Sequence, residues 1–402
     1  MATAITDNLR SIHNVYLFNR LLTGPGLFVN CETTTPTSGS LPMSRETLWY
    51  TRCPTPTAFS ISVHLGTLAQ EFSADGIAFR SITSSSDAKV RQAHFDATQK
   101  NFFRHGGNSP PIVSRSRGTD VRVIGLSWNR SYRPILALPS SGIRTVADLA
   151  GRRISVPYRN KDSVDFWRAT ALRGVAHALE DHGLSQRDIV ATDVPTDRTF
   201  IDDSRRSTSD SASLWDARFM LGHQREEAFA LIRGDIDAFY SQGAMAALVE
   251  GFLGAITVYD IGEKPPSAAR GNNDVPYILT ATGELIDDHP DLVVRLLSRV
   301  LDAAEWAKSH EAHSKRIIAR ETGLAEELVD TAFSPDIHRE LDLDFAGDKV
   351  AALRGQHDHL LAHGFLKEAV DFERFLDPRP LQRALDLRTS TRRIPLETHL
   401  HT

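Results

Sequence analysis

Three side chains in the first third of the sequence are of types suited to chemistry: Cys53, which precedes a proline, His94, which precedes a phenylalanine, and Arg104, ten residues beyond the histidine. A cysteine can act as a nucleophile or as a proton donor, and a histidine can relay its proton. The planar guanidinium of an arginine matches two oxygen atoms of one anion, which lysine cannot imitate. These residue types together favour chemistry on a small anion.

Gly106 and Gly107 follow the arginine closely, and their backbone N–H groups can approach a ligand because no side chain intervenes. Each feature taken alone has a structural interpretation that is more common. A single cysteine is usually a small buried apolar residue, a histidine or arginine usually makes structural contacts, and two glycines usually form a turn. The functional interpretation therefore depends on their joint occurrence.

From Leu48 onward, short β-rich runs alternate with amphipathic stretches, which predicts mostly parallel sheets flanked by helices. Thr145 is predicted to cap a one-turn helix that passes through Gly151 into a strand. After Asp288 the pattern becomes helical, with apolar residues on one face from Leu292 to Trp306. The predicted strands are 76–82, 121–126, 134–138, 153–156, 237–240, 256–261 and 277–280.

Length, charge and apolar content limit the class of protein. The chain has 402 residues, 41% of them hydrophobic, which suffices for one large core or for two lobes joined by a hinge. Lys and Arg total 46 and Asp and Glu total 51, so the net charge is 46 − 51 = −5 and no basic face indicates a nucleic-acid partner. No run approaches the roughly 18 apolar residues of a membrane span. We expect a monomer without a nucleic-acid or membrane partner.

The first residues predict a protein that is not exported. Residues 15–29 are apolar in character, but Asn19 and Arg20 interrupt them and Asp7 weakens the positive flank of a signal peptide. Cys31 follows Asn30, where a lipoprotein cleavage site requires a small residue. With Cys53 as the second of only two cysteines, a reduced thiol and a cytoplasmic location are expected.

The domain organisation follows from composition. Residues 32–44 have the composition of a linker or an untranslated leader, so 1–45 are predicted to be a leader, with Met43 as a candidate start. The Ser/Asp-rich residues 202–213 are predicted to form an exposed loop. The remaining predictions are a first lobe of 46–140 and 265–380, a second lobe of 141–264 and a tail of 381–402.

Four segments resemble known families. Residues 144–156 (RTVADLAGRRISV) resemble the helix-to-strand junction of periplasmic solute-binding proteins for nitrate, sulfonate and taurine. Three others resemble the 2′-hydroxybiphenyl-2-sulfinate desulfinases of dibenzothiophene desulfurisation. They are residues 50–56 (YTRCPTP), 93–111 (AHFDATQKNFFRHGGNSPP) and 298–308 (SRVLDAAEWAK). The resemblance covers roughly residues 46–378.

The resemblance implies an α/β fold of the two-lobed type 2 periplasmic-binding-protein kind, with the ligand cleft between the lobes. It assigns the catalytic residues and an aromatic pocket by position. His105 departs from the family pattern, which has an apolar aromatic residue there, and this predicts a changed rim of the site. The implied catalytic residues are Cys53, His94 and Arg104, and the implied substrate-binding residues are Phe95, Gly106, Gly107, Trp167 and Trp306.

The implied activity is that of a C–S bond hydrolase, which converts a small aromatic sulfinate and water into the arene and sulfite without a metal or cofactor. Cys53 could attack sulfur and form a thiosulfonate-like adduct, or it could protonate the ring carbon that carries sulfur. The sequence leaves both roles open. His357, His359 and His363 are not predicted to bind metal, because no cysteine or carboxylate pair completes a ligand set, and a solvated helix is expected there.

Two other functions compete on the same fold. A solute-binding protein would close on a sulfonate or sulfinate and deliver it to an ABC transporter, but such a protein is expected to carry a signal peptide. An enzyme that makes a thiamin pyrimidine precursor is expected to have a cysteine-rich motif, whereas this chain has two cysteines. Fold alone does not separate these functions.

Overall fold

A computed structural model describes residues 47–203 and 222–392. The predicted leader with Cys31 and Met43, and nearly all of the predicted loop 202–213, lie outside these ranges. The strands are Thr47–Arg52 (β1), Ala78–Ser81 (β2), Phe102–Gly106 (β3), Val121–Ser127 (β4), Pro134–Ala137 (β5), Arg153–Tyr158 (β6), Val190–Pro195 (β7), Ala238–Tyr240 (β8), Ile256–Asp260 (β9) and Tyr277–Thr282 (β10).

Helices fill most of the intervals between the strands. They are Ala58–His64 (α1), Thr67–Ser73 (α2), Ala88–Asp96 (α3), Ser109–Ser116 (α4), Phe166–Glu180 (α5), Phe200–Asp203 (α6), Arg225–Arg233 (α7), Gly243–Leu253 (α8), Gly283–Asp288 (α9), Pro290–Ser309 (α10), Glu311–Thr322 (α11), Val329–Ala332 (α12), Gly347–Ala362 (α13), Phe372–Phe375 (α14) and Arg379–Arg392 (α15). Among the described residues, no helix combines the length and apolar character of a membrane span.

The strands form two five-stranded sheets. The first has the order β2-β1-β3-β10-β4 and the second the order β7-β6-β8-β5-β9. In each sheet four strands run in one direction, and the fifth is antiparallel to both of its neighbours: β10 in the first sheet and β5 in the second. Each reversed strand is the first to enter its sheet after the chain crosses from the other one. The predicted α/β class with mostly parallel sheets is confirmed.

Two predicted local structures are confirmed. Thr145 and Asp148 form a capping box at a short 3₁₀ helix, Val146–Leu149, which leads into β6. The apolar face predicted after Asp288 lies on α10, where it is buried in the core of the first sheet together with α1 and α2. This face is formed by Val293, Leu296, Leu297, Val300, Ala303 and Ala304.

Other placements were not anticipated. All seven predicted strands are present, but β1, β3 and β7 were not among them. The strand at 134–137 lies in the second sheet, and the predicted tail begins inside α15, where Leu381 and Ala384 are buried. The solvated helix expected around the histidines of α13 is wrong, because His357 and His359 are buried. Val370 N–H donates to Nε2 of His357 at 3.0 Å, so this buried ring has a hydrogen-bond partner.

Candidate functional site

The candidate site lies where two parallel strands of the first sheet end side by side. β1 and β3 pair in parallel as far as Arg52 and His105. Cys53 follows immediately, and its backbone N–H donates to the carbonyl of His105 at 3.0 Å. The carboxyl ends of parallel strands share one edge of a sheet, so the pairing of two strands places the cysteine beside the Arg-His-Gly-Gly segment.

His94 reaches Cys53 from α3, a helix capped by Asp87. Its Nε2 lies 3.7 Å from Cys53 Sγ, within the range of a sulfur hydrogen bond, and its Nδ1 lies 2.9 Å from Thr51 Oγ1. Thr51 and Cys53 are two residues apart, and side chains at that spacing leave a strand on the same side. The imidazole is therefore held between a hydroxyl and the sulfur.

Arg104 lies behind the cysteine and is almost fully buried, with 1% of its surface exposed. Its Nε donates to the carbonyl of His94 at 2.8 Å and its Nη1 to that of Gly107 at 2.7 Å, while its Nη2 points to Cys53 Sγ at 3.9 Å. This arrangement differs from the expected fork that grips two oxygen atoms of a ligand. The guanidinium instead ties α3 to the glycine turn and turns one nitrogen toward the sulfur.

Burial and charge determine the protonation of this cluster. Burial, aided by the charge of Arg104, holds the pKa of His94 well below its usual value, so the imidazole is neutral at pH 7. Burial also lowers the pKa of Arg104, an effect that the nearby Cys53 opposes. Arg104 thus supplies positive charge beside the sulfur, and the neutral ring of His94 can accept a hydrogen bond from the thiol or donate one to a thiolate, depending on its tautomer.

Glycine is required at positions 106 and 107 because atoms of other residues lie very close to them. A Cβ on Gly106 would lie 2.4 Å from the sulfur and 2.9 Å from the Cβ of Cys53, and a Cβ on Gly107 would lie 2.4 Å from Nδ2 of Asn273. Real Cβ atoms do not approach other atoms so closely, because van der Waals repulsion rises steeply at such distances. Gly106 therefore allows Cys53 to lie directly against the turn, and Gly107 leaves room for the side chain of Asn273.

Cys53 opens onto a cavity of about 150 Å³. Its lining is polar around the cysteine and apolar at the elements of the second sheet. Trp167 of α5 is fixed at this apolar side, since its Nε1 donates to the buried Glu227 at 2.8 Å and His223 packs edge-on against it at 4.4 Å. The residues of the lining are Cys53, Pro54, Thr55, Gly107, Ser131, Phe166, Trp167, Gly222, His223, Gln242, Gly243, Ala244, Met245, Leu248, Asn273, Asp274, Tyr277, Thr322 and Phe333.

The structure brings most of the predicted site residues together. Cys53, Gly107 and Trp167 line the cavity, and His94, Arg104 and Gly106 contact the cysteine from behind. Phe95 packs edge-on against the ring of His94 at 4.8 Å and lies in the core below.

Two residues lie elsewhere. Trp306 stands on α10, apart from this cavity, with its ring stacked on His310 at 4.4 Å, so the geometry gives no support to a role in substrate binding. His105 does not lie at the rim of the site as expected. It is buried against Phe59 at 6.0 Å, and burial, aided by Arg104, lowers its pKa to about 3.

Several functional candidates were missed in the sequence. Thr51 could have been found, because its spacing of two from Cys53 places both residues on one side of a strand. Phe166, His223, Asp274 and Tyr277 carry no local signal, since the chain brings them to the cavity from α5, from the turn before α7 and from the segment leading into β10. These residues come together only in the folded structure.

The fold is shared with solute-binding proteins. The periplasmic aliphatic sulphonate-binding protein SsuA of Escherichia coli superimposes with a TM-score of 0.57 at 16% identity, over 83% of this chain and 92% of SsuA. At that identity the likeness concerns the fold alone. The predicted class, a periplasmic-binding-protein-like α/β fold, is confirmed by this match.

The predicted resemblance to the sulfinate desulfinases is also confirmed. The chain is 28% identical over 362 residues to the 2′-hydroxybiphenyl-2-sulfinate desulfinases of Rhodococcus erythropolis and Rhodococcus qingshengii, covering 85% of this chain and 94% of theirs. A cysteine-to-serine mutant of the desulfurization enzyme DSZB, in complex with biphenyl-2-sulfinic acid, superimposes with a TM-score of 0.68 at 25% identity, over 86% of this chain and the whole of that one. No protein-family model matches the chain.

Proposed function

We propose that this protein is an aryl sulfinate desulfinase, which converts an aromatic sulfinate and water into the arene and sulfite. The observation that carries the proposal is the contact of Cys53 with both His94 Nε2 and Arg104 Nη2, at the mouth of a cavity with an aromatic side. The similarity to desulfinases, one of them in complex with biphenyl-2-sulfinic acid, supports an aromatic sulfinate as the ligand.

The cavity is suited to a ligand with one anionic end and one apolar end. Phe166 and Trp167 offer ring surfaces for an aryl group, while Thr55, Gly107 and Asn273 lie with the cysteine at the polar end. Arg104 makes the potential at that end positive without being a full ligand itself, because two of its nitrogens are engaged by carbonyl groups. We propose that the sulfinate group binds at Cys53.

Two chemical routes are compatible with this geometry. In the first, the Cys53 thiol gives its proton to the ring carbon, the C–S bond breaks, and the released SO₂ takes up water to give sulfite and a proton that restores the thiol. In the second, a thiolate attacks sulfur, the ring carbon leaves and takes a proton, and water releases sulfite from the cysteine. His94 moves the proton in both routes. The second route alone places SO₂ covalently on Cys53, which mass spectrometry of the quenched enzyme can detect.

The test is sulfite release by purified protein from biphenyl-2-sulfinate, benzenesulfinate and an alkyl sulfinate. We expect sulfite and the corresponding arene in equal amounts from the aromatic compounds. A solute-binding protein of the same fold would bind these anions but release no sulfite over hours. Binding without sulfite across all three compounds would reject the desulfinase and favour that receptor.

A further inference from the structure

We propose that the hydroxyl of Tyr277 donates a hydrogen bond to a sulfinate oxygen of the substrate, which makes Tyr277 a further substrate-binding residue. This inference rests on the proposed function and names a residue that neither the sequence motifs nor the Cys53 cluster contains.

Tyr277 lies at the same edge of the sheet as Cys53. It is the first residue of β10, which runs antiparallel to β3, and the next residue, Ile278, pairs with Gly106. The start of β10 therefore adjoins the end of β3, where Gly107 follows. Cys53, Gly107 and Tyr277, from three adjacent strands, line one cavity.

The hydroxyl of Tyr277 is available for a ligand. The residue is buried, with 4% of its surface exposed, yet no hydrogen bond to its hydroxyl is found among the described residues. A buried tyrosine hydroxyl usually has a partner, because leaving a polar group unpaired costs free energy. Tyr277 lines the cavity together with Cys53, so a ligand bound there can supply the partner.

The hydroxyl is a donor over the whole working range of pH. Burial raises the pKa of Tyr277 well above its usual value, and the charge of Asp274 acts in the same direction. A neutral hydroxyl donates a strong hydrogen bond to an anionic oxygen. It complements Arg104, whose Nε and Nη1 are held by carbonyl groups and which therefore has limited capacity for the same anion.

Asp274 lines the cavity too, but its chemistry does not suit the sulfinate. Its Oδ2 accepts from Arg133 Nε at 2.9 Å, and its buried Oδ1 has no hydrogen-bond partner among the described residues. A carboxylate accepts hydrogen bonds and repels an anion, although Arg133 offsets its charge. Asp274 and Tyr277 can each form a further hydrogen bond, but of the two only Tyr277 can donate one to the sulfinate.

The test compares binding of biphenyl-2-sulfinate with binding of biphenyl, the arene that it yields. Both ligands are titrated into the Cys53→Ser protein with and without Tyr277→Phe, so that turnover does not interfere. Loss of a hydrogen bond to a charged group should raise the Kd of the sulfinate about ten- to a hundredfold. The Kd of biphenyl should not change, because Tyr277→Phe retains the ring.

A control and three outcomes complete the design. Tyr259→Phe removes a hydroxyl that bonds Asp181 outside the cavity, and it should leave both Kd values unchanged. Equal weakening of both ligands by Tyr277→Phe would assign Tyr277 to ring packing and overturn the inference, and unchanged binding of both would also overturn it. If the wild type releases no sulfite but the sulfinate-specific loss is found, the proposed function fails while this contact stands.

Discussion

The sulfur of Cys53 lies 3.7 Å from Nε2 of His94, although the two residues are 41 positions apart and belong to different elements. The contact exists because the end of β1 and the last turn of α3 meet at one edge of the first sheet. Thr51 on the same strand binds the opposite nitrogen of the ring at 2.9 Å, so one strand holds the imidazole and presents its partner. The orientation of the ring and its distance from the sulfur are thus both set by β1 and the residue that follows it.

Replacing Cys53 by serine should abolish sulfite release while leaving the fold and sulfinate binding nearly unchanged. Serine has a similar shape but is far less acidic and less nucleophilic than cysteine, so it cannot serve in either route. Sulfite assays, ligand titration and thermal melting measure the three properties. Cys31→Ser, outside the described residues, is the matched control and should behave as wild type. Substantial turnover by Cys53→Ser would remove this thiol from the mechanism.

Replacing Thr51 by valine should lower kcat about tenfold. The substitution keeps a β-branched side chain in the strand but removes the hydroxyl that contacts Nδ1 of His94, and the loss of one hydrogen bond costs about 0.5–1.5 kcal/mol. Thr51→Ser, which retains a hydroxyl, should recover most of the rate. Steady-state kinetics on biphenyl-2-sulfinate, with melting temperatures for all three proteins, provide the test. Equal kcat for the valine and serine variants would contradict an orienting role.

The strands that carry the site were the ones that sequence patterns failed to predict. β3 reads Phe-Phe-Arg-His-Gly and is buried along its whole length, so it lacks the alternation of apolar and polar residues that marks a half-buried strand. β1 contains Arg52, a residue type that is usually exposed, but here it forms a fully buried ion pair with Glu321 at 2.7 Å. In β1 a distant carboxylate pairs with the buried guanidinium, and in β3 backbone carbonyls accept hydrogen bonds from the guanidinium of Arg104, so neither arginine is exposed as its type suggests.

The motifs nonetheless identified the centre of the site. Cys53, His94, Arg104 and the two glycines follow one another within 55 residues, and the resemblance of these segments to the desulfinases implied that they meet. Trp306 was included because its segment resembles the same family, but its position on α10 depends on how that helix packs, which a short motif does not specify. The side of the cavity formed by elements of the second sheet could not be predicted. Those elements reach the cavity only because the chain crosses from one sheet to the other, and no local pattern specifies that crossing.

Replacing Gly106 by alanine should reduce kcat at least a hundredfold with a modest change in melting temperature. The added Cβ would lie 2.4 Å from the sulfur of Cys53, so the cysteine must move away from His94. Gly347→Ala is a matched control, because a Cβ there meets no atom of the described residues within 4 Å. The rate of alkylation of Cys53 by iodoacetamide would report the displaced thiol directly. Wild-type kcat in Gly106→Ala would show that the contact is not needed.

The free energy of unfolding should fall as pH rises and Glu227, which accepts a hydrogen bond from Trp167, loses its proton. Burial raises its pKa to about 7 from an ordinary value of 4.5, and the bonds from Trp167, Ser155 and Gln224 only partly oppose this. Between these two values the native state binds more protons than the unfolded state. The free energy of unfolding should therefore fall by about 3 kcal/mol from pH 4.5 to pH 7 and then level off.

Denaturant unfolding at several pH values, on wild type and Glu227→Gln, measures this effect. The variant should lose most of the decline, because its amide does not titrate. Glu373→Gln, at a residue that is 92% exposed, is the control and should keep the wild-type profile. Identical profiles for wild type and Glu227→Gln would mean that Glu227 titrates near its ordinary pKa.

Replacing Arg104 by lysine should lower kcat/KM by about tenfold to a hundredfold or more, and it should also lower the stability of the protein. Lysine keeps the charge but cannot bond the carbonyls of His94 and Gly107 while directing a third nitrogen at Cys53. A hydrogen bond to a charged group contributes about 1.5–3 kcal/mol, and each 1.36 kcal/mol is about tenfold in rate. Because the guanidinium faces the sulfur, most of the loss should appear in kcat.

Bound sulfinate and released sulfite should be measured in the same samples of wild type and Arg104→Lys. A large fall in sulfite with little change in Kd is expected if Arg104 acts on Cys53, as its geometry indicates. A rise in Kd that accounts for the whole loss would instead make Arg104 a direct ligand of the sulfinate, as the sequence motif implied. The two outcomes differ in kcat at saturating substrate, which should fall in the first case and remain at the wild-type value in the second.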